Sequence, residues 1–170
     1  MRVMQVIAGA GVGGAETFFV DLVGALHRAK LEQRVIIRRN ERRAAALRAL
    51  GLIPIELPFR RWLDFDTSRR LRREIESFQP DVVQTWMSRA SAALPRGNFV
   101  HVGWLGGYYD LKSFRRCDHL IGVTKDISAH AVASGAERRD PQAAAKYCRR
   151  GGGRFGQHGR AGRRRAVPAR

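Results

Sequence analysis

Residues Met1–Ala25 read MRVMQVIAGAGVGGAETFFVDLVGA, and the order of features within them decides the fold. A short apolar run, Val3 to Ile7, empties into a glycine-rich loop. The loop opens directly into a segment that places Phe18, Phe19, Leu22, Val23 and Leu26 on one helical face. Strand, glycine loop and helix in that order form the phosphate-binding unit of an α/β domain. Glycine lets the backbone approach an anion closely, and the N–H groups and dipole of a helix start favour negative charge. Gly9, Gly11 and Gly14 also fit the G-x-G-x-x-G spacing of dinucleotide loops. NAD would need an acid at the end of the second strand, where Arg38 and Arg39 stand; arginines there leave a 2′-phosphate, hence NADP, open. The reading without a ligand is a tight strand-to-helix turn.

The same alternation continues along the chain. Gln33–Ile37, Ile53–Leu57, Val82–Thr85, Asn98–Val102 and His119–Val123 read as five further strands. Between them lie helices over Glu41–Leu50, capped by Asn40 and ended by Gly51, and up to Phe78, capped by Asp66 or Thr67. A short helix over Ser88–Leu94 and a last one over Lys125–Ala133, capped by Thr124 and ended by Gly135, complete the pattern. Near-continuous apolar strands alternating with helices mean a parallel sheet covered on both faces. Right-handed crossovers then give a doubly wound, Rossmann-like α/β domain, which binds ligands beyond the carboxyl ends of its strands. That rule brings the Gly9–Gly14, Trp86–Arg89 and Gly103–Tyr109 loops to one crevice.

The pattern stops near residue 136. Residues 1–135 carry 21 Lys/Arg against 13 Asp/Glu, a balance of +8, and residues 136–170 the remaining +9 of the formal +17. From Pro141 to Arg170 there is no Leu, Ile, Met, Trp or acid, but there are nine Arg/Lys and six Gly. Such a stretch buries too little apolar surface to offset chain entropy, so 136–170 is expected to be a disordered basic tail. The abrupt change to an Arg/Gly/Ala mixture also suggests out-of-frame translation; the alternative is a genuine tail that binds nucleic acid through its phosphates. Cys117 and Cys148 show no metal-ligand spacing or disulfide framework, and His27, His119, His130 and His158 add none, so no metal is expected and a reducing cytoplasm is the simplest setting. The N-terminal apolar run is broken by Gln5 and followed by Glu16, unlike a signal peptide. No segment reaches the roughly 18–20 apolar residues that span a bilayer.

The segment V-x-Q-V-I-x-G-x-G-V-G-G-A-E-x-F resembles the opening of family 4 glycosyltransferases of the GT-B type. So do Phe78–Ala90 (FQPDVVQTWMSRA), Leu105–Lys112 (LGGYYDLK) and Arg116–Thr124 (RCDHLIGVT), in the same order. The resemblance covers about 1–135 and implies one half of a GT-B fold, the N-terminal, acceptor-side domain of a retaining enzyme of cell-envelope polysaccharide synthesis. It implies a nucleotide-sugar co-substrate rather than a cofactor, and a glycan or lipid-linked acceptor. It also implies a C-terminal Rossmann-like donor domain, of which no motif follows Gly135; this chain by itself is therefore expected to be inactive. By the same resemblance, Gly13 and Gly14 contact the donor phosphate through backbone N–H groups.

The remaining candidates each carry two readings. Trp86 is either a stacking platform for a sugar or a packed core residue, and Arg89 either an anion partner or a solvated side chain. Gly106, Gly107 and Tyr108, with Tyr109, form either a mobile acceptor loop or a cover for the sheet; His101 is either near the sugar or a strand residue within the sheet. No residue is assigned a catalytic role. Arg60, Arg61 and Arg69–Arg73 make a basic surface suited to anionic lipid at the inner membrane face, or a solvated helix face. Outside the resemblance, the alternatives are a small NADP-binding oxidoreductase and a nucleic-acid binder acting through the tail.

Overall fold

The computed structural model describes residues 1–9, 11, 13–60 and 64–135. The expected tail, Arg61, Cys148 and His158 lie outside the described residues. In chain order the elements are β1 (Arg2–Ile7), α1 (Gly14–Arg28), β2 (Glu32–Arg38), α2 (Glu41–Ala49), β3 (Ile55–Leu57) and α3 (Phe65–Phe78). Then come β4 (Val82–Trp86), α4 (Met87–Ala93), β5 (Val100–Leu105), a 3-10 turn (Leu111–Phe114), β6 (His119–Gly122) and α5 (Lys125–Ala133). The strands form one six-stranded sheet in the order β3-β2-β1-β4-β5-β6, and every pairing is parallel. This is the doubly wound order, reversing between β1 and β4, where such folds bind their ligands.

Alternation along each strand divides the core in two. Met4, Val6, Ile36 and Val83 pack with Leu71 and Phe78 of α3 and Ala90 of α4. Ile7, Val35, Ile37, Trp86 and Trp104 pack with Phe19 and Val23 of α1 and Ala44 and Leu47 of α2. Burying a side chain such as Phe19, which is fully covered, is worth roughly 1.5–3 kcal/mol. A third cluster joins Leu105, Phe114 and Cys117 to Ile127 and Ala131 of α5.

Most element ends obey the expected punctuation. Asn40 accepts a hydrogen bond from Arg43 N, Thr124 accepts one from Ile127 N, and Gly51 and Gly135 have φ of 82° and 96° just after their helices. Several boundaries differ, four of them where the local contacts matter. The cap of α3 is Asp64, not Asp66 or Thr67; it accepts from Thr67 N, while buried Thr67 turns its hydroxyl to Phe59 N. β3 starts at Ile55 because Ile53 is exposed in the turn. α4 starts one residue early, at Met87, with no loop after β4. β5 runs to Leu105 rather than Val102, so Gly103 is a strand residue: a Cβ there would lie 2.8 Å from Cys117 Sγ and Leu120 Cδ2 and 2.9 Å from Phe114 Cδ1. Among the described residues no helix is long and apolar enough to cross a membrane.

Candidate functional site

At the switch point between β1 and β4, the chain leaves β1 at Ile7 and enters α1 at Gly14. Gly13 precedes the helix in an extended conformation (φ −161°, ψ 172°), and no side chain caps the helix start. By contrast α2, α3 and α5 are each capped by a side-chain oxygen. The first-turn N–H groups of α1, with the positive end of its dipole, are thus presented to the crevice. Gly14 is exposed, and a Cβ built on it meets nothing within 4 Å. Gly9 and Gly13 are the crowded members of the loop: a Cβ on either would collide with the Glu16 carboxylate, and at Gly9 also with the Met87 methyl.

Arg43 holds this loop from beneath. Its guanidinium is buried, with Nη1 3.2 Å from Gly9 O and Nη2 3.3 Å from Gly11 O, and it lies 4.0 Å from Glu16 Oε1. Burial pulls the pKa of the guanidinium down, Glu16 offsets this, and neighbouring Arg38 adds to the lowering. A bonded guanidinium so far above neutrality stays charged. It therefore ties two loop carbonyls inward and places a positive charge under the loop. Sequence reasoning missed Arg43 among the arginines at 38, 39, 42 and 43. The signal was its i,i+4 spacing to Leu47, which puts both on the inner stripe of α2.

The opposite rim is built differently. Trp86 is fully buried. Register places Ile7 opposite Trp86 and Trp86 opposite Trp104, one row across the carboxyl ends of three strands. The Trp86 and Trp104 rings lie 4.6 Å apart, and Phe19 of α1 meets Trp86 edge-on at 5.2 Å. Trp86 Nε1 donates to Gln5 Oε1 at 2.8 Å, and Gln5 Nε2 donates to Gln84 Oε1 at 3.1 Å, which satisfies the buried indole. Trp86 accordingly offers no open face to a sugar; it is the floor on which α1 sits. Arg89 is exposed and makes no ion pair among the described residues.

Gly106, Gly107 and Tyr108 form the next loop. A Cβ at Gly106 would strike the Trp104 ring, and Gly107 is open. Tyr108 is exposed; its hydroxyl donates to Asp126 Oδ2, and its ring packs edge-on against His130 at 5.1 Å. The Asp126 hydrogen bond raises the Tyr108 pKa, ahead of the carboxylate's charge. Burial raises the Tyr109 pKa, and so does Glu16, so the 106–109 loop lies within the field of the glycine-loop carboxylate. The Asp126 hydrogen bond and the His130 contact latch the 106–109 loop to α5.

His101 is the second residue of β5, away from the carboxyl ends. Its Nδ1 donates to Arg116 O at 3.1 Å, which leaves Nε2 to accept from Thr85 Oγ1 at 2.8 Å; Thr85 in turn lies 2.8 Å from Ser91 Oγ. Burial lowers the His101 pKa, so the ring is held neutral within a satisfied network. Among the described residues no three His, Cys, Asp or Glu side chains could hold a metal ion.

The sequence profile of Glycosyltransferase Family 4 matches residues 12–141. The chain belongs to glycosyltransferase family 4. Within curated proteins this family member is 34% identical over 153 residues to LpsD of Rhizobium meliloti (strain 1021), a lipopolysaccharide core biosynthesis glycosyltransferase, covering 88% of this chain and 44% of the relative. It is 36% identical over 140 residues to LpsE of the same organism, described in the same words, covering 74% of this chain and 38% of the relative. The chain thus spans under half the length of both. Among solved structures it resembles HepE of Anabaena, determined with UDP and glucose, with TM-score 0.59 and 12% identity over 79% of this chain and 41% of that one. It also resembles MnaA of S. aureus, determined with UDP, with TM-score 0.57 and 18% identity over 84% of this chain and 42% of that one. At those identities the likeness concerns the fold. The family match favours a glycosyltransferase over an oxidoreductase.

Proposed function

We propose that residues 1–135 form the acceptor-side domain of a retaining glycosyltransferase, which moves a sugar from a nucleotide-sugar donor to a glycan or lipid-linked acceptor of the cell envelope. The observation that carries this is the uncapped start of α1, held open by Arg43 at the switch point of the sheet. As the glycosidic bond to the donor breaks, the departing diphosphate gains negative charge. The Gly13 and Gly14 N–H groups and the α1 dipole are fixed before that charge appears, so they stabilise it without reorganising. The Arg43 charge beneath the loop adds to the same field. The donor is a co-substrate, and no resident cofactor takes part. Gly106, Gly107 and Tyr108 border the acceptor, and exposed Arg89 is available to an anionic group of either substrate.

A second Rossmann-like domain grips the nucleotide from the other side, and residues 1–135 without it bind diphosphate weakly and transfer no sugar. The exposed arginines of α3, Arg69, Arg70, Arg72 and Arg73, with Arg60 and exposed Phe65, favour peripheral attachment to an anionic membrane on its cytoplasmic face. The test is an assay of the purified chain with UDP-sugars and a lipid-linked acceptor, alongside NADPH and UDP titrations. UDP binding without transfer and without tight NADPH binding is expected. Robust transfer by the chain by itself, or micromolar NADPH affinity, overturns the reading.

A further inference from the structure

The carboxyl ends of β2 and β3 are set with arginines whose charge is not balanced locally. Arg38 ends β2, Arg39 comes directly after it, Arg42 lies in the first turn of α2, and Arg60 lies just beyond β3. Arg39 N donates to Leu57 O at 3.0 Å, so the ends of β2 and β3 are held side by side. None of the four has an ion-pair partner among the described residues. The acids of the same region are engaged elsewhere. Glu16 lies against Arg43; Glu41 and Glu56 both bind Arg48, at 3.0 and 3.1 Å. Asp64 accepts from Thr67 N and Arg60 N, so its oxygens serve the backbone. The start of α2 adds the positive end of a helix dipole. Arg38 is only half-exposed, and it is close enough to buried Arg43 to act on it electrostatically.

Like charges gathered this way repel one another, and the cost falls when an anion enters. A solvated arginine face needs no such placement at the ligand-bearing end of the sheet. The other rim of the crevice is built on buried Trp86 and Trp104. We infer that the arginine-set surface at the ends of β2 and β3 takes an acceptor saccharide bearing a negative group, a carboxylate or a phosphate, read by Arg38, Arg39, Arg42 and Arg60. The guanidinium fork suits either group through paired hydrogen bonds. A neutral sugar gains none of this, so the arc selects acceptors by charge. The inference names the acceptor class for the glycosyltransferase reading and rests on it for the word acceptor.

The experiment tracks backbone amide shifts of the full 170-residue chain during titration with glucose, glucuronate and glucose 6-phosphate, and separately with inorganic pyrophosphate. The two acidic sugars distinguish carboxylate from phosphate recognition. At least one is expected to shift the Arg38–Arg42 amides with affinity at least about tenfold above glucose, and to weaken several-fold as salt rises through about 0.3 M. R42Q/R60Q changes only surface side chains and is expected to lose about half of that preference or more; R38Q/R39Q is expected to lose the rest. Equal shifts by glucose, or unchanged affinity for both acidic sugars in R42Q/R60Q, overturn the inference. Pyrophosphate separates the two ideas. If it shifts Gly13 and Gly14 while acidic sugars show no preference, the acceptor inference fails and the diphosphate reading stands. If acidic sugars bind the arginines but pyrophosphate leaves Gly13 and Gly14 unmoved, the diphosphate reading fails and a site for acidic saccharides remains.

Discussion

Two strands of the sheet, β1 and β4, end side by side at the switch point, yet the chain leaves them in different ways. After β1 it makes a glycine loop, and α1 starts without a cap. After β4 it turns straight into α4, with Met87 at φ 64°, and Trp86 is folded into the core. The first rim leaves backbone donors facing the crevice; the second turns its largest side chains inward as support for the first. The polar groups divide the same way. Arg43 directs its donors to loop carbonyls and keeps its charge, whereas His101, further down the sheet, is neutral and closed off by Thr85 and Arg116. Exposed backbone donors and packed support thus occupy neighbouring strands at one end of one sheet.

Replacing Trp86 strikes the supporting rim. W86A should cost about 3–5 kcal/mol in denaturant unfolding, from the cavity it leaves beside Trp104 and Phe19. At temperatures where the variant remains folded, its pyrophosphate affinity should change little. A large affinity loss in the folded variant would mean that the aromatic rim contacts ligand.

R43Q strikes the other rim. It removes the donors to Gly9 and Gly11 and the partner of Glu16. Losing these buried bonds should cost about 2–3 kcal/mol, with pyrophosphate shifts at Gly13 and Gly14 lost by about tenfold or more in affinity. Unchanged binding would show that Arg43 only supports the fold.

Acid tests the closed network. Burial lowers the His101 pKa below its ordinary 6.5, so on acidification the unfolded chain takes up this proton before the native one does. The stability contributed by neutral His101 is complete above about pH 6.5, and it is lost as pH falls through that value toward the lowered native pKa. The Arg116 carbonyl and Asp118 favour the added charge, and the Arg116 guanidinium opposes it. Thermal melts between pH 7.5 and 5 should therefore fall more steeply for the wild type than for H101Q; parallel slopes would contradict the assignment.

The smallest effect is expected at Arg89. R89A should leave stability within about 0.5 kcal/mol, because the side chain is exposed. Its pyrophosphate affinity should fall by less than about threefold, since the contact is a solvent-screened charge. A larger loss would move the phosphate site toward α4.

Much of this was legible from residue pattern. The apolar strands, the helix stops at Gly51 and Gly135 and the cap at Asn40 are local signals, and the doubly wound sheet could be read from them. The glycine-rich entry to α1 was equally visible, because backbone freedom is written in the residue type. The features that escaped depend on tertiary contact. Gly103 looks like a loop glycine until the 3-10 turn and β6 are known to press on it. Trp86 looks like a crevice aromatic until register sets it against Trp104. Arg43 is indistinguishable in composition from Arg42, and only its spacing to Leu47 separates the buried arginine from the exposed one. Asp64 displaced Asp66 as the cap because Thr67 was needed at Phe59.

The central claim is that α1 begins with backbone donors meant for a diphosphate. Gly14 is the first helical residue and comes after an extended Gly13. Proline is well tolerated at that position and deletes a single N–H. The decisive measurement is the amide-shift titration of wild type and G14P with UDP, both checked for an intact α1. The account predicts shifts centred on Gly13–Glu16 in the wild type and an affinity loss of about tenfold in G14P. Equal UDP affinity in the two chains, or shifts centred away from α1, would contradict it.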